Sequence, residues 1–155
     1  MARWETINTM DPVSHIVCTA QALGRQPRTL IAGVAPDLPW YLLYPAWLLT
    51  HPAARRAARA GTWPLPPRGI RQAHYAAHSL LTVGLCGLLL RRRPASRSWL
   101  RAWALHILVD MPTHARARMA PQPLWPLSTW AVDGFSWADL ALDALRRLGA
   151  LARGR

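Results

Sequence analysis

The chain has no lysine. All 19 of its basic residues are arginine, set against only seven acids, for a formal net charge of +12. Cysteine is nearly missing too: Cys18 and Cys86 both fall within apolar runs, and neither belongs to a Cys-x-x-Cys pair. That argues against a thiolate metal centre and leaves both as small buried hydrophobes. The first ten residues lack the basic-then-apolar layout of a secretory signal. No stretch shows the period-two alternation of a strand, and no internal repeat is found. What is left is an all-α reading, and 155 residues suit one helical domain over 1–155.

The arginines come in clusters between apolar runs: Arg55, Arg56 and Arg59; Arg68 and Arg71; Arg91, Arg92, Arg93, Arg97 and Arg101; and Arg146, Arg147, Arg153 and Arg155. Basic loops that punctuate apolar segments suit a protein in or on an anionic membrane. No base-reading motif accompanies the charge, which argues against a nucleic-acid partner.

Pro12 at a first helical position and Gly24 as a stop predict a helix over about 12–23, with Asp11 as its cap. From Thr29 to Thr50 the only charge is Asp37, bracketed by Pro36 and Pro39, so a helix should break there beside a carboxylate. His51 to Gly69 reads as a loop with a short amphipathic turn around 53–60. A helix follows over about 70–90, uncharged after Arg71, and then a basic loop. Ser98 begins the next helix, which Pro112 kinks or ends. Residues 120–137, dense in Pro and Trp, suggest an irregular lid or interfacial belt. An amphipathic helix over 137–151 closes the chain. The expected architecture is a small helical bundle, embedded in a membrane or associated with one, with a proline-broken helix near its site.

Chemistry concentrates in His106-Ile-Leu-Val-Asp110. Residues at i and i+4 share one helical face, so both side chains can converge on one ion. Aspartate is rarely buried unpaired, and nothing basic follows Arg101 within this run. A divalent cation is the most economical partner. Three other segments set a ligand on an apolar background: Asp11-Pro-Val-Ser-His15, Ala35-Pro-Asp37-Leu and His74-Tyr-Ala-Ala-His78-Ser79. Singly, His15 reads as a hydrogen-bonded core residue and Asp37 as a helix cap. Together they form an oxygen and nitrogen set suited to Zn²⁺, Mn²⁺ or Fe²⁺. His51, beside Pro52 at a loop start, and His114, after the Pro112 break among Arg116 and Arg118, are weaker as ligands.

These segments, taken with Gly33-Val-Ala-Pro-Asp37, His106-Ile-Leu-Val-Asp110-Met-Pro-Thr113-His114, Leu124-Trp-Pro-Leu-Ser128 and Gly134-Phe-Ser-Trp137, occur in an order that resembles the YdjM-like family of membrane-bound metal-dependent hydrolases. The resemblance covers about residues 10–140. A looser similarity links the order of ligands to the zinc-dependent phospholipase C and S1/P1 nuclease group. The resemblance implies a helical hydrolase at a bacterial cytoplasmic membrane, with metal ligands His15, Asp37, His78, His106 and Asp110. The chain departs from the family pattern at Pro39, where a second acid is usual, at Ala73 and Ala77, where His and Thr are usual, and at Thr19, where Gly is usual.

The function expected on these grounds is hydrolysis by a metal-activated water, of a phosphoester, lipid or small molecule, at a membrane surface. Asp37 and Asp110 are the catalytic carboxylates, and Asp37 is the general base if it is not a ligand. His74, Ser79, Thr113 and His114 are expected to support the ligands, and Arg116 and Arg118 to hold a phosphate. Two rivals stand beside this: a small membrane protein whose structural or degenerate metal site binds a partner or lipid, and a metal-free core in which His and Asp pair.

Overall fold

A computed structural model describes residues 12–116 and 119–135. Its elements are α1 (Pro12–Leu23), α2 (Pro27–Ala32), a 3₁₀ turn (Ala35–Asp37), a π turn (Pro39–Leu43) running into α3 (Tyr44–Thr50), α4 (Pro52–Arg59), α5 (Arg68–Ala77), α6 (Leu80–Leu89) and α7 (Ser96–Thr113). Among the described residues there is no strand, so the all-α bundle holds. The longest helix, α7, is the organising one: α1, α2 and α6 pack against it, while α5 packs on the 3₁₀ and π turns.

The prolines break the second helical segment where expected, and Asp37 ends the 3₁₀ turn between α2 and the π turn. Pro cannot donate to the preceding turn, which forces the tighter and wider turns around it. The amphipathic turn expected near 53–60 is a full helix, α4, with exposed Arg56 and Arg59 in its last turn. Pro112 is accommodated inside the last turn of α7. Residues 119–135 carry no helix. The helix expected over 137–151 and the Asp11 cap lie outside the described residues.

One expectation fails outright. The uncharged run 70–90 is two helices, broken at His78 and Ser79. Side chains build this break. Ser79 is extended (φ −108°, ψ 124°) and its Oγ accepts the Thr82 amide, capping α6. The carbonyl of Pro123 takes the amides of Leu80 and Leu81. Trp103 Nε1 donates to the Ala77 carbonyl at the end of α5. The split leaves α6 only ten residues long, and among the described residues no helix is long and apolar enough to cross a membrane.

Burial inverts the usual order. Of the largest fully enclosed side chains only Ile107 and Pro121 are apolar; the others are His15, His78, His106, Thr19, Asp110 and Ser79. On α7 the buried stripe is Ala102, His106, Ile107, Asp110 and Thr113, with Leu108 facing out. On α1 it is His15 and Thr19, with Val13, Ile16 and Val17 exposed. Leu81, Leu85, Leu88 and Leu89 on α6 are exposed as well.

Candidate metal centre

Four separate elements deliver the buried polar groups. His15 comes from the second turn of α1, Asp37 from the 3₁₀ turn, His78 from the break after α5, and His106 and Asp110 from one face of α7. Asp37 Oδ1, His78 Nε2, His106 Nε2 and Asp110 Oδ2 form the tightest group, with all four residues buried. His78 Nε2 lies 3.3 Å from each of the two carboxylate oxygens. His106 Nε2 lies 3.1 Å from Asp110 and 3.6 Å from Asp37. The two Nε2 atoms are 3.1 Å apart. Four ligands on an ion at zinc-like bond lengths stand about 3.3–3.5 Å from one another when tetrahedral. Five of the six edges, at 3.1–3.6 Å, are close to that polyhedron, and all four ligand atoms lie within 4.8 Å of one another, so the residues present fit a small divalent cation.

Ring orientation supports the same fit. His78 Nδ1–H donates to the His74 carbonyl (2.9 Å) and His106 Nδ1–H to the Gly33 carbonyl (2.7 Å). A carbonyl only accepts, so each Nδ1 carries a proton and each Nε2 is turned inward, to bind a cation or, without one, to hold a second proton toward the carboxylates. His15 stacks on His106 with centroids 3.8 Å apart, and sets its own Nε2 3.1 Å from Asp110 Oδ1. Among the described residues, the buried side-chain atoms without an aligned hydrogen bond are His15 Nε2, Asp37 Oδ2, both oxygens of Asp110 and His74 Nδ1. Four of the five belong to the cluster. Buried polar groups are seldom left so, and several that point at one space call for a common partner.

The electrostatics follow from crowding. Burial alone would raise Asp110, but His106, His15 and His78 hold it far below the usual carboxylate range. Burial likewise opposes ionisation of Asp37, and hydrogen bonds from His106 and His78 overcome it. His106 is disfavoured as a cation by burial, yet Asp110 and Asp37 push it up to about 10. His78 moves upward for the same reasons. Burial drives His74 well down, helped by the neighbouring His78, and it lowers His114. Without a cation, protons on the imidazoles balance the two carboxylates.

The supporting residues expected from sequence land as follows. His74 lies behind His78: its carbonyl fixes that ring, its own ring stacks there at 4.0 Å, and its Nε2 is 3.2 Å from the Met119 carbonyl. His114 Nδ1 is 3.6 Å from Asp110 Oδ1, but closer to the Asp110 carbonyl at 3.1 Å. Two expectations need correction. Ser79 Oγ reaches no ligand; it caps α6 and donates to the Trp125 carbonyl, because the helix break claims it. Thr113 Oγ1 bonds back along its own helix, to the carbonyls of Val109 and Asp110. Arg116 is tied down, with Nε and Nη2 both donating to the Ala131 carbonyl and its amide donating to Asp133. Arg118 lies outside the described residues. Gly33, missed as a site residue, supplies the carbonyl that orients His106. A side chain at position 33 would collide with Thr19, which is buried one turn beyond His15. A glycine at the close of a short helix, just before Asp37, was the available signal.

A cavity of about 500 Å³ is lined by Tyr75, Arg116, Gln122, Ser128, Thr129 and Trp130, among others, and by none of the cluster's own residues. Tyr75 follows His74 in the chain, and Arg116 is two residues past His114. No family model matches this chain, and no curated protein or solved structure matches it.

Proposed function

We propose that the chain is a metal-dependent hydrolase that acts on a phosphoester at a membrane surface. The observation that carries this reading is the convergence of two Nε2 lone pairs and two carboxylates at coordination distances inside an interior with few apolar side chains. The donor set suits zinc, with manganese or iron(II) as alternatives. Such an ion, when bound, supplies Lewis acidity and makes water acidic enough to attack at neutral pH. The protein's own part is to orient its ligands through the Gly33 and His74 carbonyls and to keep solvent from them. Asp37, within 3.6 Å of two ligand nitrogens, is read as a ligand and not as a free base. The motif resemblance to the YdjM-like family supports the same reading.

The membrane half of the proposal rests on the outer surface. Val13, Ile16 and Val17 on α1 and four leucines on α6 are exposed, an unusual amount of apolar surface for a protein bathed only in water. Arginines flank these helices, at 25 and 28 and at 91–93, as anionic headgroups would require. With no spanning helix among the described residues, the mode proposed is attachment to one leaflet. A structural metal centre is the second reading, favoured by the near-complete burial of Asp110 and His78.

Elemental analysis of the purified protein tests the metal, and hydrolysis of a chromogenic phosphodiester and of anionic phospholipid vesicles tests the reaction. The expected result is stoichiometric metal, with turnover lost in His106→Ala and with chelator. Less than about half an equivalent of any transition metal removes the proposal. Full metal without turnover on either substrate favours the structural reading.

A further inference from the structure

We infer that the cavity of about 500 Å³ lined by Tyr75, Arg116 and Trp130 is a binding site for a phosphate monoester carried on a flat ring, separate from the metal centre. Its volume is in the range of small-molecule sites. Because no cluster residue lines it, the inference stands without a metal. Arg116 gives the cavity its charge. Its Nε and Nη2 both donate to the Ala131 carbonyl, at 2.9 and 2.6 Å. That contact fixes the plane of the guanidinium and uses only one of its edges. The other edge, Nη1 with the outer hydrogen of Nη2, keeps its N–H donors without a partner among the described residues. No acid is among the described residues that line the cavity. Asp133 is held by the main chain, where its Oδ1 accepts the Arg116 amide at 2.9 Å. A cation oriented in advance, with an open fork and no counter-charge, is suited to an oxyanion.

The number of donors selects phosphate over carboxylate. To the guanidinium edge the lining adds the hydroxyls of Ser128 and Thr129 and the amide of Gln122. Ser128 Oγ accepts the Trp130 amide at 3.1 Å, which leaves its own proton to donate. A carboxylate has two oxygens for such a set, whereas a phosphate monoester has three strong acceptors. The flat ring follows from the aromatic lining. Trp130 is 51% exposed and stacks on no other ring among the described residues, and Tyr75 also lines the cavity. An indole left open beside a cation and hydroxyls is a face on which a planar ligand can rest.

The test is calorimetric titration of the full chain, held metal-free by chelator so that the centre can neither bind nor hydrolyse the probe. The probes are phenyl phosphate, inorganic phosphate and benzyl alcohol. Phenyl phosphate should bind one equivalent, inorganic phosphate about 2- to 10-fold more weakly for want of the ring, and benzyl alcohol not measurably. Arg116→Gln should weaken both phosphates by about 10- to 150-fold, the effect of losing hydrogen bonds to a charged group. Thr129→Val, which alters an exposed side chain, should weaken both about 10-fold and serves if the arginine variant fails to fold. Trp130→Ala should erase the preference for phenyl phosphate and leave inorganic phosphate unchanged, a selectivity that general damage to the fold does not produce. The part of the binding that depends on Arg116 should be the same in zinc-loaded protein. Binding of phenyl phosphate only when zinc is present places the ligand on the metal and overturns the inference. So does equal binding of benzyl alcohol, or a folded Arg116 or Thr129 variant that binds like the wild type. None of these results alters the metal content, which alone decides the reading of the cluster.

Discussion

Replacing Asp110 by Asn keeps the shape of the side chain and removes its charge from the middle of four imidazoles, whose nitrogens lie 3.1, 3.1, 3.3 and 3.6 Å away. It also turns one oxygen into a donor that faces nitrogen lone pairs. Partners that merely orient metal ligands are worth about 10–100-fold in affinity, so loss of a charged ligand should cost at least ~100-fold. Zinc at ~100 times the wild-type Kd stabilises the folded state by about 2.7 kcal/mol, and a 100-fold weaker site retains only about 0.4 kcal/mol. At roughly 2–4 °C per kcal/mol for a chain of this size, the zinc-dependent rise in Tm should shrink by about 5–9 °C. Thermal melting of metal-free wild type and Asp110→Asn, each with and without zinc, measures this directly. Subtracting each protein's own metal-free Tm removes the cost of the substitution to the bare fold. An Asn variant that gains as many degrees from zinc as the wild type would refute the ligand role of Asp110, and with it the metal centre.

Three further outcomes are expected. In metal-free protein the depressed carboxylates, Asp37 and Asp110, contribute stability above their ordinary pKa of 3.8 that is lost on acidification. The raised His106 contributes stability fully present below 6.5 and lost as pH rises through about 10. Melts with chelator should therefore fall on the alkaline side, between about 6.5 and 10, and on the acid side below 6.5, where the lowered His74 and His114 also resist protonation; zinc should abolish the alkaline fall while releasing protons measurable by calorimetry in two buffers. A flat alkaline profile without metal would contradict this. Gly33→Ala drives a methyl into Thr19 and disturbs the carbonyl beneath His106; it should cost about 1–3 kcal/mol and weaken zinc about 10–100-fold. Adding Thr19→Ala should recover much of both, as read by melting and zinc titration. Ser79→Ala removes the α6 cap and the bond to Trp125, so it should destabilise by about 1–2 kcal/mol with metal stoichiometry unchanged. A change in bound metal would return Ser79 to the centre.

What the sequence disclosed was mostly local. Pro12 and Gly24 bounded α1 correctly, the prolines around Asp37 announced a break, and the spacing of His106 and Asp110 put both on one buried face. Each is decided within a few residues by backbone sterics or helical period. The split at His78 was hidden because the run looks uniformly apolar. Its causes are a cap at Ser79, carbonyl acceptors at Pro123 and Trp125 and an indole donor at Trp103, far along the chain. The carbonyl of Gly33 that turns His106 inward was hidden for the same reason, since no periodicity predicts which backbone oxygen a ring will meet. Hydropathy also left a membrane-embedded bundle open, because it registers the apolar residues of α6 and α1 without revealing that they face outward around a polar centre.

That inside-out arrangement bears on how the molecule can be engineered. In most globular proteins greasy residues hold the fold and polar ones do the chemistry, so each set can be varied with the other untouched. Here the tightly packed interior and the reactive groups are largely the same amino acids, and changing one alters both. The outward leucines of α6 can be changed without touching that interior: exchanging Leu85, Leu88 and Leu89 for glutamate or glutamine should leave the polar heart intact.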